Sequence, residues 1–287
     1  MPSSRTDLRA LLRAPTGFTD PSSLNHRATP GYPGSGKSDV ERYLTPLGKE
    51  LSELQERLFA DGRAAPQTAR RVLVVLQGMD TSGKGGVVRH VFGLVDPQGL
   101  ELTSFKAPTK TELKHDFLWR IRKQLPSPGM IGIFDRSHYE DVLIVRVLGL
   151  VAEAEWRERY DLINAFEAEL ADAGVVIIKC FLNISAAEQE SRLLARLDDP
   201  SKHWKYNPGD VDSRRGWASY MEAYGAVLQQ CNPDHAPWYI VPSDRKWYRN
   251  WAIATLLAEH LRELDLQWPA ASYDVNLERE RVKGLAQ

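Results

Sequence analysis

The segment Gly78-Met79-Asp80-Thr81-Ser82-Gly83-Lys84 sets two glycines five residues apart and places a lysine directly after the second. That spacing suits a backbone that folds around an anion: glycines remove Cβ clashes, N–H groups turn inward, and the lysine adds a point charge. A buried-strand run, Val72 to Gln77, precedes it and a helical pattern, Val87 to Val95, follows, the context that a phosphate-cradling loop requires. Gly78, Thr81, Ser82, Gly83 and Gly85 are therefore candidate substrate contacts, with Lys84 as the gripping cation. Gly85 stands where such loops usually carry a Ser or Thr hydroxyl for Mg²⁺, so a metal there needs another ligand. Asp80 would be repelled by bound phosphate unless a cation lay between them, which nominates it as a ligand, directly or through water. An aspartate capping a turn is the plainer alternative.

A second acid follows from the apolar run Met130 to Phe134, which ends in Asp135, the pattern of a strand-end carboxylate completing a metal site. Arg136 comes next and puts a guanidinium where transferring phosphoryl oxygens would sit. A helix cap and its ion pair would explain the same two residues without chemistry.

The elements that must position these groups alternate. Strands are expected at Val72–Gln77, Leu100–Lys106, Met130–Phe134, Val175–Leu182 and Trp238–Val241. Helices are expected from Val40 to about Ala60, at Val87–Val95, Glu112–Gln124, Glu140–Leu148, Ala154–Ala173, Ser185–Leu197, Ser213–Gln230 and Trp247–Leu264. Alternation of this kind implies right-handed crossovers and a mainly parallel sheet covered on both faces, with ligands beyond the carboxyl ends of the strands. Residues before about Gly36 are rich in Pro, Ser, Gly and Thr without a period, as in an extended arm or a segment ordered only by packing on the body.

Composition removes several classes. With 37 basic and 38 acidic residues the chain is close to neutral, so no general nucleic-acid trap covers its surface and any polyanion must be held locally. No apolar run approaches the roughly 20 residues of a membrane span, and Met1 to Pro30 lacks a secretory apolar core, so a cytoplasmic protein without membrane partners is expected. Cys180 and Cys231 lack metal or disulfide spacing and read as reduced thiols. The tryptophans Trp119, Trp204, Trp217, Trp238, Trp247 and Trp251 read as core or interface residues.

The phosphate loop and Phe134-Asp135-Arg136-Ser137-His138-Tyr139-Glu140-Asp141 combine with Gln98-Gly99, Thr103 to Thr109, His115 to Arg120, Lys202-His203-Trp204-Lys205, Ala236-Pro237-Trp238-Tyr239 and Asp244 to Arg249. In this order they resemble the polyphosphate kinase 2 family over about Tyr43 to Pro269. The resemblance implies a three-layer α/β/α P-loop kinase fold, with a mainly parallel five-stranded sheet and a helical lid. It places an arm at 1–36, the kinase domain at 37–270 with its lid at about 192–216, and a tail at 271–287.

The activity implied is phosphoryl transfer between inorganic polyphosphate and nucleoside di- or monophosphates, adenine or guanine, with nucleoside triphosphates as the partner species. Mg²⁺, or Mn²⁺ in its place, would be held near Asp80 and Asp135, while Lys84 and Arg136 match the phosphate-gripping cations. Arg192, Arg196 and Arg214 fall in or near the lid as further catalytic cations, or else form a solvated helix face. Lys106 either reaches the substrate mouth or is an ordinary strand-end lysine. Tyr139-Glu140-Asp141 resembles the subgroup that accepts both mono- and diphosphates; Glu140 would position the acceptor or its metal, and Asp141 would cap the next helix. A homodimer or homotetramer is implied. His115, His138 and His203 receive no acid–base role, because the attacking phosphate oxygen is already ionised. Two other readings are an ATP-dependent nucleoside monophosphate kinase of thymidylate-kinase type and a nucleotide-binding regulator that transfers nothing.

Overall fold

Five short apolar runs pair into one sheet in the computed structural model, which describes residues 7–285. The strands are β1 (Arg71–Gln77), β2 (Leu100–Ser104), β3 (Ile131–Asp135), β4 (Val175–Asn183) and β5 (Trp238–Pro242), in the order β2-β3-β1-β4-β5. Every pairing is parallel, so the sheet is wholly rather than mainly so. Helices in chain order are α1 (Leu8–Leu12), α2 (Val40–Ala64), α3 (Lys84–His90), α4 (Trp119–Arg122), α5 (Ile144–Val147) and α6 (Glu153–Asp172). They continue with α7 (Ala186–Leu197), α8 (Gly209–Arg215), α9 (Trp217–Gln230), α10 (Lys246–Glu263) and α11 (Val275–Gly284). Among the described residues no helix is long and apolar enough to cross a membrane.

Side chains alternate across β1, and this divides the core in two. Val72, Val74 and Leu76 join the cluster built with α2, α3 and α10; Leu73 and Val75 join the one built with α6 and α9. A strand apolar on both faces is what a sheet covered on both sides requires. The connection after β1 runs outward to β2 and the one after β3 runs past β1 to β4, so they leave in opposite directions and a crevice opens at the carboxyl ends of β1 and β3. Register aligns the exits: Leu76 faces Asp135 on one side and Cys180 on the other.

Four expected helices are interrupted, the first being Val87–Val95, where α3 ends at His90 and a 3₁₀ turn follows at Phe92–Leu94. Between Glu112 and Gln124 the chain forms a 3₁₀ turn at Glu112–Lys114, an extended His115 and only then α4, because the Asp116 carboxylate accepts from the Leu118 N–H and begins a new turn. The stretch Glu140–Leu148 divides into a 3₁₀ turn at His138–Asp141 and α5, and Ser213–Gln230 divides at Gly216 into α8 and α9. Of the tryptophans read as core or interface residues, Trp204 lies outside the core, at 78% exposed. Both cysteines are free and buried, and burial pushes their thiols up to about 12.

From residue 7 onward the arm is anchored at several points. Leu8 and Leu12 are buried, and the Glu259 carboxylate accepts from the Leu8 and Arg9 N–H groups at 3.0 and 3.1 Å, satisfying donors that a helix start leaves free. Arg13 bridges Tyr239 antiparallel, with Ala14 N–H donating to Trp238 O at 2.8 Å, so the β5 edge is covered. Further on, Pro21 O accepts from Asn183 Nδ2, and His26 O from the Asp244 N–H, beneath the site. Leu12→Ala is expected to lower unfolding free energy by about 2–4 kcal/mol in urea titrations, the cost of a buried leucine; a loosely laid arm would show no change.

Candidate functional site

The loop after β1 is shaped by what its carbonyls do. If the N–H groups of a phosphate loop face an anion, its C=O groups face the protein and need donors. Arg192 from α7, 8% exposed, donates through Nη1 to Thr81 O at 2.8 Å and Ser82 O at 3.0 Å, and through Nη2 to Ser243 O and Asp244 O. Arg249 from α10, 2% exposed, donates to the same Ser82 O at 3.0 Å. Burial, with Arg192 beside it, pushes the Arg249 guanidinium down to about 9. Gly83 makes room for this contact: its φ is +110°, and a Cβ there would stand 1.8 Å from Arg249 Nη1. Thr81, at φ +64°, carries the strain of the turn.

Within the loop, the Lys84 ammonium donates to Gly78 O at 2.8 Å, and burial followed by Arg136 lowers its pKa below the ordinary lysine value. Asp135, Asp80 and Glu140 act on Lys84 in the opposite sense, so two cations and three carboxylates share one neighbourhood. Arg136 leaves β3 at φ +64°, its N–H extending the ladder to Leu76 O, and its Nη2 donates to Asp80 Oδ1 at 2.9 Å. Gln189 Nε2 holds the Asp80 carbonyl at 3.2 Å. The hydroxyls of Thr81 and Ser82 are buried without a hydrogen-bond partner, a cost that a phosphate oxygen would relieve. At Gly85 a Cβ would meet nothing within 4 Å, so space is not what excludes a hydroxyl from that position.

The loop opens onto a cleft of 710 Å³. One end is charged, with Asp80, Arg136, Glu140 and Asp210; the wall beyond is apolar, with Phe105, Leu113 and the α5 residues Ile144 and Val147. Burial raises the Glu140 pKa despite Arg136 and Lys84 nearby. Burial likewise pushes the Asp141 carboxyl up to about 6 against Arg159 and Arg120. Lys106 lines this cleft with its side chain exposed, while its carbonyl accepts from Arg120 at 2.7 Å.

Of the residues nominated from sequence, Gly78, Asp80, Thr81, Ser82, Gly83, Lys84, Asp135, Arg136 and Glu140 surround the loop. The three arginines of the lid region face elsewhere. Arg192 lies beneath the loop, Arg196 donates to Lys205 O and Asp210, and Arg214 donates to Ala186 O, Gln189 and Glu190. The guanidiniums of Arg196 and Arg214 tie α7 and α8 together, and none of the three lines the cleft. Asp141 receives Arg159 at 3.0 Å instead of capping a helix. Arg249, Gln189, Asp210 and Tyr224 were not nominated for the site. The one signal for Arg249 is a pair of glycines, Gly83 and Gly86, three residues apart on the face it covers.

A family model described as "Polyphosphate kinase 2" matches residues 37–268. The AMP/ADP-polyphosphate phosphotransferase of Meiothermus ruber is 47% identical over 234 residues, 82% of this chain and 85% of that protein. The ADP-polyphosphate phosphotransferase of Rhodopseudomonas palustris is 41% identical, over 81% of this chain and 83% of that one. The crystal structure of polyphosphate kinase 2 from Arthrobacter aurescens superimposes with a TM-score of 0.93 at 48% identity, covering 98% of both chains.

Gly83→Ala, strained by more than about 1 kcal/mol at this φ and in collision with Arg249, is expected to lower the thermal midpoint and weaken pyrophosphate binding at least tenfold by calorimetry. Gly85→Ser, entering open space, should unfold at the wild-type temperature.

Proposed function

The chain belongs to the polyphosphate kinase 2 family, and we propose that it moves phosphoryl groups between inorganic polyphosphate and both AMP and ADP at the loop around Lys84. It is a polyphosphate-dependent nucleotide phosphotransferase; acceptance of the monophosphate as well as the diphosphate is the finer part of the proposal. That part is supported by Tyr139-Glu140-Asp141 and by the name of the 47%-identical relative. The observation that carries the reading is that Asp80, Arg136 and Glu140 line a cleft that also has apolar wall residues, Phe105, Leu113, Ile144 and Val147, while Lys84 and Asp135 share the electrostatic neighbourhood of the three charged groups. Polyanions can sit at the charged end and a nucleoside against the wall.

The reaction joins two phosphate chains that repel each other, so charge neutralisation and alignment are the main demands on the protein. Loop N–H groups and Lys84 hold one phosphate. Arg136, now on Asp80, can turn to the transferring group, its side chain being 40% exposed. The attacking oxygen needs no base. The carboxylates present suit a hard divalent cation, since Mg²⁺ takes one or two carboxylates together with substrate phosphates and water. Asp80 and Asp135 would hold it, and it would supply positive charge between the two chains.

ADP or AMP with polyphosphate and Mg²⁺ should yield ATP, and EDTA should stop the reaction. Asp80→Asn and Asp135→Asn are each expected to lower turnover about a hundredfold, some 2.7 kcal/mol of barrier, without changing the fold. Absence of ATP from both acceptors overturns the function, and near-normal rates in both variants remove the metal assignment.

A further inference from the structure

Behind the cleft, on the side of the sheet opposite the two loop-holding arginines, lies a polar cluster with no solvent access. Lys179 on β4 and Glu167 on α6 are both 0% exposed and pair at 2.5 Å. Tyr139 hydroxyl donates to Glu167 Oε1 at 2.7 Å and accepts from Lys179 Nζ at 2.8 Å. His138 Nε2 lies 3.2 Å from Glu167 Oε1, and the third Lys179 donor goes to Cys231 O at 2.9 Å, where the carbonyl end of α9 favours a cation. The Lys179 ammonium also faces the Tyr139 and Trp238 rings at 5.3 Å each.

A buried ion pair is poorly explained by stability, because apolar side chains of similar volume do as well or better. What distinguishes this one is which elements it joins. The 3₁₀ turn at His138–Asp141 brings Glu140 and Asp141 to the cleft; α9 contributes Ser219, Tyr220 and Tyr224 to its lining; and α6 contributes Arg159, which bonds Asp141. All three meet at Lys179 and Glu167. An apolar replacement could fill the volume, but it would not fix the turn's register, since hydrophobic contact is non-directional. Tyr139 and His138 sit between Arg136 and Glu140, so their hydrogen bonds set where both charged residues stand.

We propose that Glu167 and Lys179, acting through Tyr139 and His138, are positioning residues for the acceptor side of the cleft. The proposal rests on the phosphotransferase reading for its kinetic consequence, but it concerns nucleotide binding in its own right. None of the four touches substrate. They hold Glu140, Asp141 and the α9 tyrosines at the spacing that an acceptor nucleotide meets, while the phosphate loop is held separately by Arg192 and Arg249.

Tyr139→Phe removes the tether and leaves the ion pair and the ring in place. Glu167→Gln combined with Lys179→Met removes the pair without leaving a lone buried charge. Both variants are expected to raise KM for ADP at least fivefold and to weaken ADP binding by the same factor in calorimetry without polyphosphate. KM for polyphosphate should stay within twofold of wild type. A purely structural role would lower the active fraction, scaling kcat and leaving both KM values unchanged, and that result overturns the proposal. Variants that bind ADP as wild type does also overturn it. Because ADP binding is read without turnover, a wild type that binds ADP but makes no ATP defeats the phosphotransferase reading alone, and one that does not bind ADP defeats both.

Discussion

The carbonyl of Ser82 accepts from two buried guanidiniums, and the rest of the site depends on that arrangement. A phosphate loop can turn its N–H groups toward an anion only if its C=O groups are satisfied on the opposite side. Here the donors are arginines from α7 and α10, which reach under the loop from beyond β4 and β5. β4 must stand next to β1, and β5 next to β4, for the reach to succeed, which ties the loop to the sheet order. The two positive charges also add to the potential at the loop without occupying the place of a phosphate.

Charge is arranged differently at the mouth. Lys84 and Arg136 are held by internal acceptors, Gly78 O and Asp80, so neither cation stands unpaired at the rim. A polyanion can exchange these contacts for its own without leaving a buried charge alone.

Much of this was legible before any fold. The five strands are short β-branched runs bounded by turn residues, and β1 was recognisable because its apolar residues fill both faces. The loop and its two acids declared themselves through residue type at a strand end. What was hidden depends on contacts between distant segments. Nothing in the run from Glu112 to Gln124 shows that the Asp116 side chain will take the Leu118 N–H and divide the helix. An arginine on an amphipathic helix looks alike whether it faces phosphate, solvent or a carbonyl, so sequence leaves Arg192 between a catalytic cation and a solvated face and gives Arg249 no place in the site. Lys179 was concealed more thoroughly, as a single charged residue in an apolar strand whose partner lies on the preceding helix.

These hidden residues share a property that explains both why sequence misses them and why the site needs them. Arg192, Arg249, Glu167 and Lys179 are polar groups in places where apolar ones would pack, and each directs its hydrogen bonds to a specific backbone or side-chain atom. Burial of apolar area brings elements together but tolerates sliding, whereas a buried donor with a fixed acceptor does not. One pair of charges lies on each side of the sheet, one gripping the loop and the other gripping the turn that carries Glu140. A transfer between two repelling phosphate chains requires both grips at once, since a misplacement of about 1 Å on either side removes the alignment on which the rate depends.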